Sequence, residues 1–301
     1  MRILLIFLLT INFFIFIFLP TAVHAQIVAA IQPTLIIQNK NKEIVQKNTS
    51  ALWASDLAKH MVFIDIKVLS SGGKLSHDEH CSAVVISSHS ILTAAHCFGA
   101  TAEEINLVYQ VALHFEQDIN LPTQAVMQTT KFRTHPLFNA RAFKKDSPVY
   151  LENDIALVYF DEALPTTHES VTVWSENDLL LLGKNFAVAG YGSQKDVNLK
   201  DVTAIPEIGV LSATVLKFDF SLPNPKVLPT QITATQTSNG ICRGDSGGGA
   251  FIKSNNNWVL VGINSAAGTD ESCLHGKANF TRVSLFQEWI QQTQTELSQL
   301  K

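Results

Sequence analysis

The chain has 301 residues, 46% of them hydrophobic and 16% charged, with 15 Gly, 4 Cys and a formal net charge of -4. This composition excludes a disordered chain, a collagen-like fibre and a miniprotein held together by disulfides, and it offers no electrostatic reason to expect a nucleic-acid partner. What remains is a globular protein long enough to bury one large core or two smaller ones.

In chain order, Arg2 precedes an apolar run from Ile3 to Leu19, interrupted only by Thr10 and Asn12, and followed by Pro20 and Val23-His24-Ala25. A short positive end, an apolar core, a helix breaker and small residues flanking a cleavage point predict a secretory signal peptide over residues 1–25. The rival, an uncleaved anchor, fits less well, because the run sits at the low edge of what spans a bilayer. The mature protein is therefore expected outside the cytoplasm, secreted to the extracellular or periplasmic space, with no membrane attachment after signal cleavage. In an oxidising compartment, four Cys imply two disulfides, with three possible connectivities. Residues 26–43, polar and rich in Asn and Lys, read as a leader or propeptide ahead of a domain over 44–301.

From Met61 onward, short apolar runs alternate with turn residues: Met61–Leu69, Ala83–Ile86, Ile155–Phe160, Phe186–Ala189, Val210–Phe218 and Trp258–Ile263. Many short strands with punctuating Gly, Pro and Asn predict an all-β sandwich or barrel. Near the C-terminus, Val283, Phe286, Trp289 and Ile290 recur at helical spacing, with Gln287, Glu288 and Gln291 facing away, and predict one helix.

Three strings carry chemistry: Leu92-Thr93-Ala94-Ala95-His96-Cys97, then Asn153-Asp154-Ile155-Ala156-Leu157, then Cys242-Arg243-Gly244-Asp245-Ser246-Gly247-Gly248. A serine hydroxyl is a weak nucleophile and needs a base, together with donors for the negative charge that develops on the substrate. Ser246, flanked by glycines that let the backbone approach a carbonyl, is the candidate nucleophile, and the Gly244 and Ser246 amides are the candidate oxyanion donors. His96 is the candidate general base. Asp154 would hold its tautomer and stabilise the imidazolium. No Gly-Lys-Ser/Thr follows the Gly-rich string, so it is not a phosphate cradle.

These strings, in this order, resemble the chymotrypsin-like (trypsin-family) serine proteases, from about Lys59 to the C-terminus. His135-Pro136, Gly190-Tyr191-Gly192, Val261-Gly262-Ile263-Asn264-Ser265 and the Trp289-Ile290 helix resemble further landmarks of that family. The resemblance implies two six-stranded antiparallel β-barrels packed face to face, with a C-terminal α-helix. It also implies a peptide bond cleaved through an acyl-enzyme, with no metal or organic cofactor. The implied partners are protein or peptide substrates and protein inhibitors. The implied bridges are Cys81–Cys97, beside the catalytic His, and Cys242–Cys273, bracing the specificity pocket.

The chain departs from the family at three places, one of them Gly249, where the family usually has Pro, with little effect expected. Members mature by cleavage that frees an Ile-Val-Gly-Gly amino terminus, which pairs with the Asp before the nucleophile, here Asp245. The nearest candidate here is Glu43-Ile44-Val45-Gln46, without the glycines, which places the new terminus of a zymogen at Ile44. The position at the base of the primary pocket is Gly240, followed by Ile241, so the carboxylate that would bind Arg or Lys is missing. Ser265-Ala266-Ala267 and Ala278 line the implied walls, and their methyl groups suggest a shallow pocket for small to medium apolar residues. A buried pocket without a counter-charge rejects a cation.

Two alternatives stand beside this reading. One is a pseudoprotease that only binds; the other is a protease cleaving after Arg or Lys, with Asp270 or Glu271 supplying the acid. The 58 residues between His96 and Asp154 imply an extra surface loop near Phe138–Tyr150, carrying Arg141, Lys144 and Lys145. His77-Asp78-Glu79-His80 reads as an exposed strand entrance or loop rather than a metal site. Asn48 and Asn279 begin glycosylation sequons, and Asn279 lies too near the pocket wall to carry a glycan.

Overall fold

Fourteen strands among the described residues carry the fold in the computed structural model. The structure describes residues 49–70, 72–99, 107–121, 126–139, 151–196, 198, 207–224, 226, 228–269 and 272–300. The signal peptide, leader, Ile44, Asn48, the insertion residues Arg141, Lys144 and Lys145, and Asp270 and Glu271 lie outside them.

The first sheet is built from β1 (Met61–Leu69), β2 (Leu75–Ser87), β3 (Ser90–Thr93), β4 (Val108–His114), β5 (Val126–Thr129), β6 (Phe132–Thr134) and β7 (Ala156–Tyr159). Its order is β5-β4-β1-β2-β3-β7-β6, every pairing antiparallel. β1 is apolar at nearly every position because it lies centrally; Met61, Val62, Ile64, Ile66 and Val68 are wholly buried. β2 changes character midway. Its first half, which includes His77–His80, is mostly exposed, and its second half enters the core from Cys81 onward.

The second sheet is built from β9 (Asn185–Gly190), β10 (Ser212–Lys217), β11 (Gln231–Gln236), β12 (Gly249–Ser254), β13 (Asn257–Thr269) and β14 (Ser272–Arg282). Its order is β10-β9-β12-β13-β14-β11, and the two-residue β8 (Thr172–Val173) adds to β13 in parallel. Both sheets are curled half-barrels around a continuous apolar core. Each sheet contains seven strands where six were expected, and several of these are only two to four residues long.

The C-terminal helix is present, in two parts. A 3₁₀ turn over Val283–Phe286 leads into α2 (Gln287–Ser298). Val283, Phe286 and Ile290 are buried, as the spacing predicts, while Trp289 is half-buried; Leu297, outside the predicted set, is buried as well. Gln287, expected to face outward, is half-buried and donates to the Trp174 carbonyl at 2.8 Å. The landmark His135 packs edge-on against both Phe286 and Trp289. A second helix, α1 (Thr49–Ala58), precedes β1. It is anchored by Leu57 in the core and by Trp53, whose ring lies 6.0 Å from that of Trp258.

Candidate active site

Three chain segments distant in sequence deliver the three candidate residues. His96 lies in a 3₁₀ turn, Ala95–Phe98, immediately after β3, and the Cys81–Cys97 disulfide ties that turn to β2. Asp154 lies just before β7. The preceding Asn153 takes a left-handed backbone (φ 58°), a conformation Asn tolerates better than most residues. Ser246 lies in the tight loop leading into β12, and the Cys242–Cys273 disulfide fastens the loop's start to β14.

The side chains form one hydrogen-bonded relay. His96 Nε2 is 2.8 Å from Ser246 Oγ, and His96 Nδ1 is 2.7 Å from Asp154 Oδ2. Asp154 Oδ1 also accepts from the His96 backbone N–H at 2.9 Å, so the carboxylate grips both the ring and the main chain of the histidine. Asp154 is buried, and His96 keeps 19% of its side chain exposed toward the cleft. Burial alone pushes the imidazole pKa down. The charge and hydrogen bond of Asp154, with Glu79 behind, outweigh it and raise the pKa above the usual histidine value. A base strengthened in this way suits removal of a serine proton.

Ser265, expected only on a pocket wall, has a second position in this network. A register shift between Asn264 and Ala266, where β13 pairs with β14, sets Ser265 out of the ladder. Its hydroxyl donates to Asp154 Oδ2 at 2.6 Å. Thr281 of β14 donates to the Asp154 carbonyl at 2.9 Å. The second sheet thus supports the acid as well as the nucleophile.

Among the described residues, neither the Gly244 nor the Ser246 N–H meets an acceptor, as the candidate oxyanion pair requires. The neighbouring Asp245 turns the other way and is buried against the Gly190-Tyr191-Gly192 segment. Its Oδ1 accepts from Gly192 N–H and its Oδ2 from Cys242 N–H, each at 2.8 Å. Gly192 has to be glycine here, because a side-chain carbon would overlap the Asp245 carboxylate. Burial pushes the Asp245 pKa up to about 7, and the two N–H donors only partly oppose the shift.

The expected pocket residues divide into floor and walls. Ala267 and Ala278 are cross-strand partners, with Ala278 fully buried between Ala267 and Ala234, and Ala266 lies beside them, half-buried. At the floor, Gly240 sits at φ 152° and a side-chain carbon there would overlap the Gln236 amide. The sequence offered no signal for this glutamine. It is buried, its Oε1 accepts from Ile241 N–H at 2.6 Å, and its Nε2 donates to the Cys273 carbonyl at 2.9 Å. Gln236 therefore binds the end of β11 to both sides of the Cys242–Cys273 bridge.

A relay of this kind on two curled antiparallel sheets defines a class, and the comparisons agree. Residues 59–290 match the family model described as Trypsin, and the chain belongs to the trypsin family, the chymotrypsin-like serine endopeptidases. Brachyurin of Leptuca pugilator is 29% identical over 72% of this chain and 88% of its own length. Transmembrane protease serine 7 of Rattus norvegicus is 26% identical over 70% of this chain, which spans only 25% of that relative's length. The mouse counterpart (Mus musculus) is 25% identical over the same shares. Among solved structures, HL collagenase superposes with a TM-score of 0.57 at 20% identity, covering 77% of this chain and 93% of that one. Human heparin binding protein gives 0.56 at 18%, covering 79% and 92%. At those identities the structural likeness speaks for the fold. No helix among the described residues is long and apolar enough to cross a membrane.

Proposed function

We propose that the chain is a secreted serine endopeptidase, made as a zymogen and selective for non-basic residues at the cleaved bond. The observation that carries this reading is the unbroken relay from Ser246 through His96 to Asp154. Ser246 Oγ attacks the scissile carbonyl as its proton passes to His96 Nε2. Asp154 keeps Nδ1 protonated and stabilises the imidazolium. The Gly244 and Ser246 N–H groups receive the oxyanion, a contribution of about 3–4 kcal/mol per donor in comparable sites. The imidazolium then protonates the leaving amine, and water attacks the acyl-enzyme with His96 again as base.

The selectivity is supported by the floor of Gly240 and Ile241, underlain by the neutral amide of Gln236, and by walls of Ala266, Ala267 and Ala278. An Arg or Lys side chain would be desolvated there without a counter-charge among the described residues. The zymogen reading is supported by Asp245, a buried carboxylate whose two hydrogen-bond donors among the described residues are both uncharged backbone groups. A new amino terminus at Ile44 would supply the missing cation. Secretion rests on the signal-peptide pattern of residues 1–25 and on the oxidised state of all four Cys.

The test is labelling of the secreted chain with a fluorophosphonate probe before and after limited proteolysis, beside Ser246→Ala, with the new amino terminus sequenced. Labelling that needs Ser246 and appears only after a cut before Ile44 is the expected result. A chain that labels in no form contradicts the peptidase reading. One that labels without a cut contradicts only the zymogen.

A further inference from the structure

We infer that Ser82, on the first sheet, is a positioning residue for the oxyanion loop of the second; this inference rests on the peptidase reading above. Ser82 is fully buried and follows the bridged Cys81 in β2. Its hydroxyl and backbone N–H are engaged across the junction of the two sheets, and its carbonyl within the first sheet. Its hydroxyl donates to the Gly244 carbonyl at 2.8 Å and accepts from the Tyr191 N–H at 2.9 Å. Its backbone N–H donates to the Ser246 carbonyl at 2.7 Å, and its own carbonyl accepts from Thr93 Oγ1 at 2.8 Å.

Gly244 and Ser246 are the two residues whose N–H groups form the candidate oxyanion site. Gly244, at φ 91°, has no side chain of its own to restrict its dihedral angles, so the restriction has to come from outside. Ser82 supplies it, holding the carbonyls of both residues from one side of the loop. These bonds fix the peptide planes that follow Gly244 and Ser246, while Ser193 N–H holds the Arg243 carbonyl and Gly248 N–H the Asp245 carbonyl in the planes that carry the two oxyanion donors. Swinging either residue out of this frame strains or breaks buried hydrogen bonds, which is costly where no water can replace them. The same hydroxyl fixes Tyr191, between the two glycines that enclose Asp245. The Asp245 carboxylate in turn holds the loop from its other side, at Cys242. The sheet that leads into the His96 turn thus also sets the geometry of the oxyanion donors.

The experiment compares the activated wild-type chain with Ser82→Ala. Competent sites are counted by fluorophosphonate titration, kcat and KM are measured on an apolar peptide substrate, and inhibition by a peptide boronate, whose tetrahedral adduct places an oxygen in the oxyanion site, is measured alongside. Removing an oxyanion donor outright costs about 10²–10³ in kcat; Ser82→Ala keeps the backbone bond to the Ser246 carbonyl and loosens the Gly244 side alone, which is expected to cost about tenfold per titrated site. KM should stay within twofold, and the boronate Ki should rise in proportion to the fall in kcat. A purely structural serine would lower the melting temperature and the number of titratable sites and leave kcat per site and Ki unchanged, and that result overturns the role. If Ser82→Ala does not fold, Ser82→Cys, which keeps a weaker donor, carries the test. A few-fold loss in kcat per site at constant KM is then expected, and no loss overturns the role. A wild type that neither labels nor hydrolyses contradicts the peptidase reading instead.

Discussion

Asp154 and Asp245 are both buried aspartates in one site, and their surroundings differ in a way that separates catalysis from its control. Asp154 accepts three hydrogen bonds, from His96 N–H, His96 Nδ1 and the Ser265 hydroxyl, and its charge is used to hold an imidazolium. Among the described residues Asp245 accepts two, both from uncharged backbone N–H groups, and burial raises its pKa to about 7. A buried carboxylate beside a group that becomes cationic is part of a finished machine. One supported only by amides carries an unrelieved desolvation cost, and is the natural receptor for a cation that arrives later.

The largest expected effect breaks the first half of this comparison. Asp154→Asn keeps the volume but presents an amide nitrogen or a single acceptor to His96, so the ring is no longer held in the tautomer that accepts from Ser246. In triads of this type the change costs about 10⁴ in kcat. KM on a peptide substrate should move little, since Asp154 lies behind the histidine and away from the cleft. Steady-state kinetics with fluorophosphonate titration checks this, and a loss smaller than about tenfold would mean that the relay is not the working arrangement.

The next effect concerns Asp245 and appears as stability. Its folded pKa of about 7 lies above the 3.8 of a free aspartate, so between those values the native state binds more protons than the unfolded chain. Stability is therefore greatest at the acid end of the window and falls as pH rises through 7, by about 4 kcal/mol for a shift of this size. Asp65, raised to about 6 mainly by burial and then by the nearby Asp78, adds a slope of the same sign. Comparing the uncut and activated chains removes that shared contribution. The uncut chain should lose melting temperature from pH 5 to 8, and the activated chain, with an ammonium on Asp245, should lose distinctly less. Equal slopes in both forms would sink the amino-terminal pairing.

The same contrast explains what could be read from sequence. His96, Asp154 and Ser246 each sit inside a short string whose neighbours also matter: Cys97 for the bridge, Asn153 for the turn, the glycines for the nucleophile loop. Local spacing was therefore enough to nominate them. β1 and the core half of β13 were legible for a similar reason, being largely apolar runs. The exposed half of β2, the far end of β13 and most of β14 are hairpin arms with mixed burial, and no period-two pattern marks them. Helix α1, whose described side chains reach inward at Trp53, Leu57 and Ala58, follows directly on the polar leader, and nothing in its spacing separated it from that leader. Ser82 and Gln236 were illegible for a different reason: their roles exist only through partners brought close by the fold. Ser82 lies 162 residues from Gly244 in sequence, and Gln236 lies 37 from Cys273.

Gln236 offers the smallest and most local of the effects. Gln236→Leu keeps roughly the same volume but leaves the Ile241 N–H and the Cys273 carbonyl buried with one partner fewer. Taking a hydrogen-bond partner from buried groups in this way costs about 2 kcal/mol, or about 4–8 °C in melting temperature for a domain of this size. The relay is untouched, so kcat per titrated site should hold. KM for substrates with apolar residues at the cleaved bond should rise several-fold as the pocket floor loses its brace. An unchanged KM with the expected loss of melting temperature would show that Gln236 supports the bridge without shaping the pocket. A fall in kcat at constant KM would show that the floor and the nucleophile loop move as one body, and the division between catalysis and its surroundings would then have to be drawn elsewhere.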